Sequence, residues 1–211
     1  MRSWFKHCSL ARSAIFSSMI LFLMLGGVPL QAASPGNTVI LVTSNDPGTG
    51  GPGCKLRDAI SAANTSALVG GCDGSGGPPF VIELVTGQFY VLKYIDNKST
   101  DEGRNGLPLI TANITINGHN ATIQRHFKFD ETEVSFRFFQ VEAGGALSLH
   151  DLTLQEGTEM LGGAIYNKGI ATAWRINFFS NRGHCGGAIY NKEPARLKVT
   201  DSTFSHNDAD G

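Results

Sequence analysis

The sequence predicts an all-β chain whose short strands stack in parallel as the successive coils of a solenoid, and three observations predict it. The phrase Gly162-Gly163-Ala164-Ile165-Tyr166-Asn167 recurs letter for letter as Gly186-Gly187-Ala188-Ile189-Tyr190-Asn191, 24 positions on. An apolar residue stands eight places before each phrase, Leu154 and Phe178, and the series continues at Phe204, 26 positions after Phe178. Finally, Leu147-x-Leu149-x-Asp151-Leu152-x-Leu154 matches Leu197-x-Val199-x-Asp201-Ser202-x-Phe204, with Ala171 to Phe178 as a looser copy between them. A fixed period in the low twenties, built of alternating apolar residues and Gly/Asn turns, is the signature of stacked β-coils.

The physics of one coil explains the pattern. Each apolar run is three to five residues long, so one unit alone buries too little surface to fold. Stacking coils about 4.8 Å apart pairs every strand with those above and below and makes a continuous core. Leu147, Leu149, Leu152 and Leu154 then point inward in one coil. Ala171, Ala173, Ile176 and Phe178 follow in the next, then Leu197, Val199 and Phe204. The glycine pairs supply a positive φ or a close backbone approach at a corner. Asn167 over Asn191, and Asn181 over Asn207, are expected to form amide ladders that satisfy backbone groups at bends. The two residues that stretch the period to 26 lie around Glu193-Pro194, where a turn absorbs them.

Taken in order, residues 1–33 read as an export signal, with a permanent membrane anchor as the weaker alternative because the apolar stretch carries serines and a Gly-Gly-Val-Pro end. Arg2, Lys6 and Arg12 make a basic start, Ile15 to Leu30 an apolar middle, and Leu30-Gln31-Ala32-Ala33 a small-residue cleavage region. Removing it takes three basic and no acidic residues, so the net charge moves from −1 to −4 (−1 − 3). A mildly acidic chain argues against nucleic acid as a partner. Export makes cysteine pairing expected. Cys8 leaves with the signal, and Cys54 with Cys72, 18 residues apart, is the expected disulfide. Cys185 is left over, either as a small packed residue or for an intermolecular bond.

Residues 34–106 read as an N-terminal cap and 107–211 as the coils. Thr38 to Thr43 is a strand. Leu56, Ala59, Ile60 and Ala63 fall on one face at helical spacing, giving a short amphipathic helix that lids the first apolar layer. Val69 to Pro79 is a Gly/Pro/Ser loop, Phe80 to Leu84 and Phe89 to Leu92 are strands, and 96–106 is a polar, exposed loop. The stack is expected to begin with Ile110, Ile114, Ile116 and Ile123, with Gly118-His119-Asn120 as its turn; His126 to Val134 is a charged excursion before Phe136 to Val141. The next GGAIYN phrase is due at position 212, so the chain reads as the N-terminal piece of a longer protein. Its open last coil, around Leu197, Val199 and Phe204, is then expected to self-associate or fray.

Cys54-Lys55-Leu56-Arg57-Asp58-Ala59-Ile60, with Ala62-Ala63-Asn64, resembles the CSLREA motif near the start of secreted bacterial right-handed parallel β-helix proteins. Leu107 to Gly118 resembles the same family, and the GGAIYN and F-x-x-N phrases are similar to repeats of chlamydial-type polymorphic outer-membrane proteins. Lys55 replaces the motif's serine and Asp58 its glutamate, and both keep the helical pattern. The resemblance covers nearly all of residues 38–211. It implies a right-handed parallel β-helix of the pectin-lyase-like kind, and secretion or exposure on the outer cell surface. It implies no particular chemistry, since most such proteins are scaffolds and fold does not fix function.

Two columns could carry function. Asp151, Arg175 and Asp201 occupy one position in three successive coils. Stacked carboxylates beside an arginine could bind a cation and act on a uronic acid. The simpler reading is an alternating-sign ladder at a corner, each aspartate bonding the turn backbone. Tyr166 over Tyr190 turns outward if Ile165 and Ile189 face the core, where flat rings could stack on sugars; with the opposite phase both are packing residues. No phosphate loop, serine elbow or zinc pattern appears, so no cofactor or metal is expected. The reading is an adhesin-like scaffold, with a cell-surface polysaccharide or a host or neighbouring surface as partner. A polysaccharide lyase or glycoside hydrolase is the alternative.

Overall fold

In a computed structural model that describes residues 36–46, 52–99, 101–126 and 134–211, the apolar alternation becomes strands. The expected signal and most of the charged excursion lie outside the described residues. The N-terminal part holds β1 (Thr38–Leu41), α1 (Leu56–Thr65), the two-residue strands β2 (Leu68–Val69) and β3 (Cys72–Asp73), β4 (Phe80–Glu83), β5 (Phe89–Leu92), β6 (Asn97–Ser99) and β7 (Gly103–Asn105). Then follow β8 (Asn113–Arg125), β9 (Phe139–Val141), β10 (Ala146–Gln155), β11 (Thr158–Leu161), β12 (Ile165–Asn167), β13 (Ile170–Phe179), β14 (Arg182–Cys185), β15 (Ile189–Asn191), β16 (Arg196–Thr200), β17 (Thr203–Ser205) and β18 (Asp208–Ala209).

Apart from β2, β3, β6 and β7, these strands form three parallel sheets, and each repeat visits them in turn. The largest runs β1-β4-β8-β10-β13-β16, with β5 on β8 and β17 on β13; the others run β11-β14-β18 and β9-β12-β15. Register follows the sequence period. Leu154 pairs with Phe178 and Phe178 with Phe204, while Ile165 pairs with Ile189. The parallel ladder also reaches back beyond Ile110, through β4 to β1, so that Ile40, Ile82, Ile116, Leu149, Ala173 and Val199 form one inward column. Five of the six are buried; Val199, on the last strand, is partly exposed.

The long strands turn a corner without leaving the ladder. Inward residues run two apart, then three, then two (Leu147, Leu149, Leu152, Leu154), and the odd step holds Asp151 at φ 50°. A left-handed residue there bends the strand and resets which side chains face in. Arg175 and Asp201 do the same at 53° and 51°. In the layer below, Gly118-His119-Asn120 replaces the single residue, and the register shifts at that point. Gly162 and Gly186 turn the other corner at φ 68° and 71°, and a Cβ on Gly163 would stand 2.4 Å from the Gly187 carbonyl oxygen.

The helix α1 buries Leu56, Ala59, Ile60 and Ala63 in the same core as the strands. Two polar residues of its motif clamp it. Arg57 donates Nη1 to Asp96 at 2.5 Å and Nη2 to the Gly106 carbonyl at 3.0 Å. Asn64 donates Nδ2 to the Leu109 carbonyl at 2.6 Å and accepts the Thr111 and Ala112 amides. Cys54 and Cys72 are joined, with their Cα atoms 4.7 Å apart. Cys185 is buried and is itself disulfide-bonded, which corrects its reading as a merely packed small residue. The 69–79 loop contains the antiparallel pair β2–β3. The 96–106 segment is corrected too: it is the antiparallel hairpin β6–β7, pinned against the parallel sheets with Asn105 buried.

Candidate functional site

Stacking places Asp151, Arg175 and Asp201 at one corner of three successive layers, flanked by the registered residues His150, Trp174 and Thr200. Arg175 grips Asp151 in bidentate fashion, Nε to Oδ1 at 2.5 Å and Nη2 to Oδ2 at 2.6 Å. Its guanidinium also lies 3.4 Å from the ring centroid of Trp174. The Trp174 indole donates to Asp201 Oδ2 at 3.1 Å, and His150 meets that ring edge-on at 5.5 Å. The hydrogen bond from Arg175 holds the Asp151 carboxyl below the usual range, and the same bond raises Arg175.

The two layers below add a hydrogen-bonded pair. Glu83 accepts Asn117 Nδ2 at 2.8 Å and meets His119 Nε2 at 2.6 Å. The corner therefore reads Glu83, His119, Asp151, Arg175, Asp201. Arg175 stands between Asp151 and Asp201 at a strand spacing, which offsets the repulsion that stacked carboxylates would suffer. The expectation that each aspartate bonds the turn backbone is corrected, because their partners are the Arg175 and Trp174 side chains. Among the described residues no three His, Cys, Asp or Glu side chains converge as a metal site.

The tyrosine column is built differently. Ile165 is in the core, so period two turns Tyr166 away from it. Tyr166 pairs with Tyr190 above and Gln140 below, and the two rings lie 5.7 Å apart at 39°. Yet Tyr166 is only 2 % exposed. The expectation of an open ring for sugar stacking is corrected there, while Tyr190 stays half-buried. Arg137 lies 5.1 Å and Lys168 5.7 Å from the Tyr166 ring centroid, and burial raises its hydroxyl pKa.

The cover comes from residues that the repeat pattern did not single out. Glu102, in the hairpin, receives Lys168 Nζ at 2.7 and 3.0 Å and Gln140 Nε2 at 2.9 Å. Lys168 also pairs with Glu142 at 2.8 Å. Arg104 bonds Glu159 through its amide at 2.9 Å and its Nε at 3.2 Å, and Asn105 donates to Gln140 at 3.0 Å. Arg137, fully buried, donates Nη1 to the Leu161 carbonyl at 2.6 Å and Nη2 to the Glu102 carbonyl. Desolvation pushes its pKa down to about 10, so it remains a cation at neutral pH. The only signal of this cluster in the sequence was the density of Asp, Glu, Lys and Arg around an otherwise unpatterned stretch. No family model matches the chain, and no curated protein or solved structure matches it significantly.

Proposed function

We propose that the chain is a secreted or cell-surface scaffold, adhesin-like in role, coiled as a right-handed parallel β-helix and related to the CSLREA-motif proteins. Each repeat crosses from one parallel strand to the next in the same sheet through two other strands, and such crossovers are right-handed almost without exception. The motif-like segment supplies the helix, with Arg57 and Asn64 as its clamps. A disulfide at Cys54–Cys72 fits an exported chain. The partner would be a cell-surface polysaccharide or a host or neighbouring surface.

The observation that carries scaffold over enzyme is the corner column. Arg175 spends two donors on Asp151, and Asp201 accepts from Trp174, so the charged groups satisfy one another. The alternative reading, a polysaccharide lyase or glycoside hydrolase, draws on the same arginine standing between two carboxylates. The test is an assay for unsaturated uronate products with and without calcium. The scaffold reading expects none, and expects Asp201→Asn to leave sugar and calcium binding unchanged. A calcium-dependent rise that Arg175→Lys abolishes would overturn it. Surface protease digestion of intact cells, with recovery of the chain in the medium or its loss from the cell exterior, tests the localisation.

A further inference from the structure

The outer face of a solenoid ordinarily meets water. On β9 and β12 it does not, since Gln140 and Tyr166 are each 2 % exposed beneath the β6–β7 hairpin. That hairpin lies between β5 and β8 and pairs antiparallel with itself. A single isolated bridge, Asn105 to Arg137, links its backbone to the layer beneath. Its hold is therefore largely a matter of side chains.

Beside Arg104 on Glu159 and the buried Asn105 on Gln140, it inserts the pair Glu102-Gly103. The Glu102 carboxylate takes three donor contacts, two from Lys168 and one from Gln140, and the Glu102 carbonyl takes Arg137 Nη2. Gly103 follows at φ 90°, where a Cβ would stand 2.5 Å from Arg137 Nη2 and 2.7 Å from Glu159 Cγ. The face thus reads a carboxylate, the carbonyl of the same residue, and the lack of a side chain on the next. Its donors belong to the solenoid rather than to the hairpin. Arg137 is anchored on Leu161, Lys168 on Glu142, and both flank the Tyr166 ring. Arg137 Nε, buried, has no hydrogen-bond partner. Charged donors fixed in advance around a shielded position are the arrangement that binds carboxylates strongly.

We infer that this face is a binding site for an acidic peptide carrying Glu-Gly, held shut in cis by Glu102 and Gly103 of the hairpin. A partner segment presenting the same pair would replace the hairpin and leave it free. The tethered hairpin competes at an effective concentration on the order of millimolar, so a free peptide meets a site whose apparent affinity is lowered by the fraction of time it is open.

The experiment uses a fluorescently labelled hexapeptide with the sequence of residues 101–106, titrated against the whole chain and read by anisotropy. Glu102→Gln should bind it at least about tenfold more tightly than wild type, because the cis competitor loses its charge while every donor stays. Adding Lys168→Ala in that background should remove the gain. Peptides with Gln for Glu, or Ala for Gly, should bind at least about tenfold more weakly. In unaltered wild type, millimolar peptide should speed hydrogen exchange at the Arg104 amide, which donates to Glu159 only while the hairpin is seated. Equal affinity of wild type and Glu102→Gln, or indifference to the Glu-to-Gln change, would overturn the inference. So would an Ala-for-Gly peptide that binds as well and is displaced by a polyuronate, since the face would then be a general carboxylate site. If Glu102→Gln fails to fold, the wild-type exchange arm decides: no acceleration at Arg104 refutes the inference.

Discussion

Replacing Asn181 with alanine should destabilise the chain by about 3 kcal/mol, and the structure shows where the loss falls. Asn181 is fully buried; its Oδ1 accepts the Gly157 amide at 3.0 Å, and its Nδ2 donates to the Leu154 carbonyl and to Asn207 Oδ1, both at 3.0 Å. Alanine orphans a donor at Gly157 and weakens an acceptor at Leu154, both in buried backbone. Each such group costs about 1–3 kcal/mol, the donor more than a carbonyl with a second lone pair. Asn207 repeats both bonds one layer on, accepting the Asn181 amide at 3.0 Å and donating to the Phe178 carbonyl at 2.9 Å, but it is itself half-buried, so water can reach both groups once its side chain is gone. Asn207→Ala should therefore cost only about 1 kcal/mol. The two share a hydrogen bond, so the double variant should cost less than the sum. Urea denaturation gives the three energies, and hydrogen exchange at the Gly157 amide locates the damage. If Asn181→Ala fell within about 0.5 kcal/mol of wild type with Gly157 still protected, the amide ladder would not be what fastens the layers.

Three further outcomes follow from the same coordinates. Converting Cys54 and Cys72 to serine should lower stability by about 3 kcal/mol, the closure entropy of an 18-residue loop, measured by denaturation against the oxidised parent. Burial raises the Asp58 carboxyl above its ordinary 3.8, with Lys55 and Arg57 opposing. A folded pKa above the unfolded one adds stability below about pH 4 that is lost as pH rises through the raised value, so Asp58→Asn should flatten a decline in stability running upward from there. Gly162→Ala should be far worse than Gly77→Ala, although both have positive φ, because a Cβ at Gly162 lies 2.1 Å from the Ile165 carbonyl oxygen and one at Gly77 meets nothing within 4 Å; thermal midpoints would show the contrast.

The repeats were legible because identical phrases must stack in identical places. The corner was legible as well, in the two-three-two spacing of Leu147, Leu149, Leu152 and Leu154 around Asp151. The earliest layers were not. Thr38 pairs with Phe80 and Phe80 with Ile114, separations of 42 (80 − 38) and 34 (114 − 80), because α1 and the hairpin interrupt the period. The hairpin itself carries too little apolar patterning to betray that Glu102 and Asn105 reach a partner surface. For the same reason Tyr166 was open to either reading: periodicity gives the side of the strand, but not what a distant segment lays over it. Arg57 and Asn64 sat on the helix as polar residues, and only the chain they clamp, at Asp96, Gly106 and Leu109, reveals their work.

Parallel strands stacked in register set a rule for their side chains: the neighbour of each is the residue one repeat away, at about the spacing of strands. Groups that can pair with themselves tolerate repetition, as Asn181 does with Asn207 by being donor and acceptor together, and as Phe178 does with Phe204 by stacking at 4.6 Å. Charges cannot, so at the corner Arg175 stands between Asp151 and Asp201, and Trp174 lends Asp201 a donor. Arg175 is committed to Asp151, and a ligand must break that pair to take its guanidinium. The ladder beneath the hairpin is a different case. Its cations, Arg137 and Lys168, draw the Glu102 contact from outside the repeat, so exchanging that contact for a partner's leaves the stack itself intact. A partner that took the place of the hairpin would leave the stacked layers as they are, whereas one entering the corner would have to part Arg175 from Asp151.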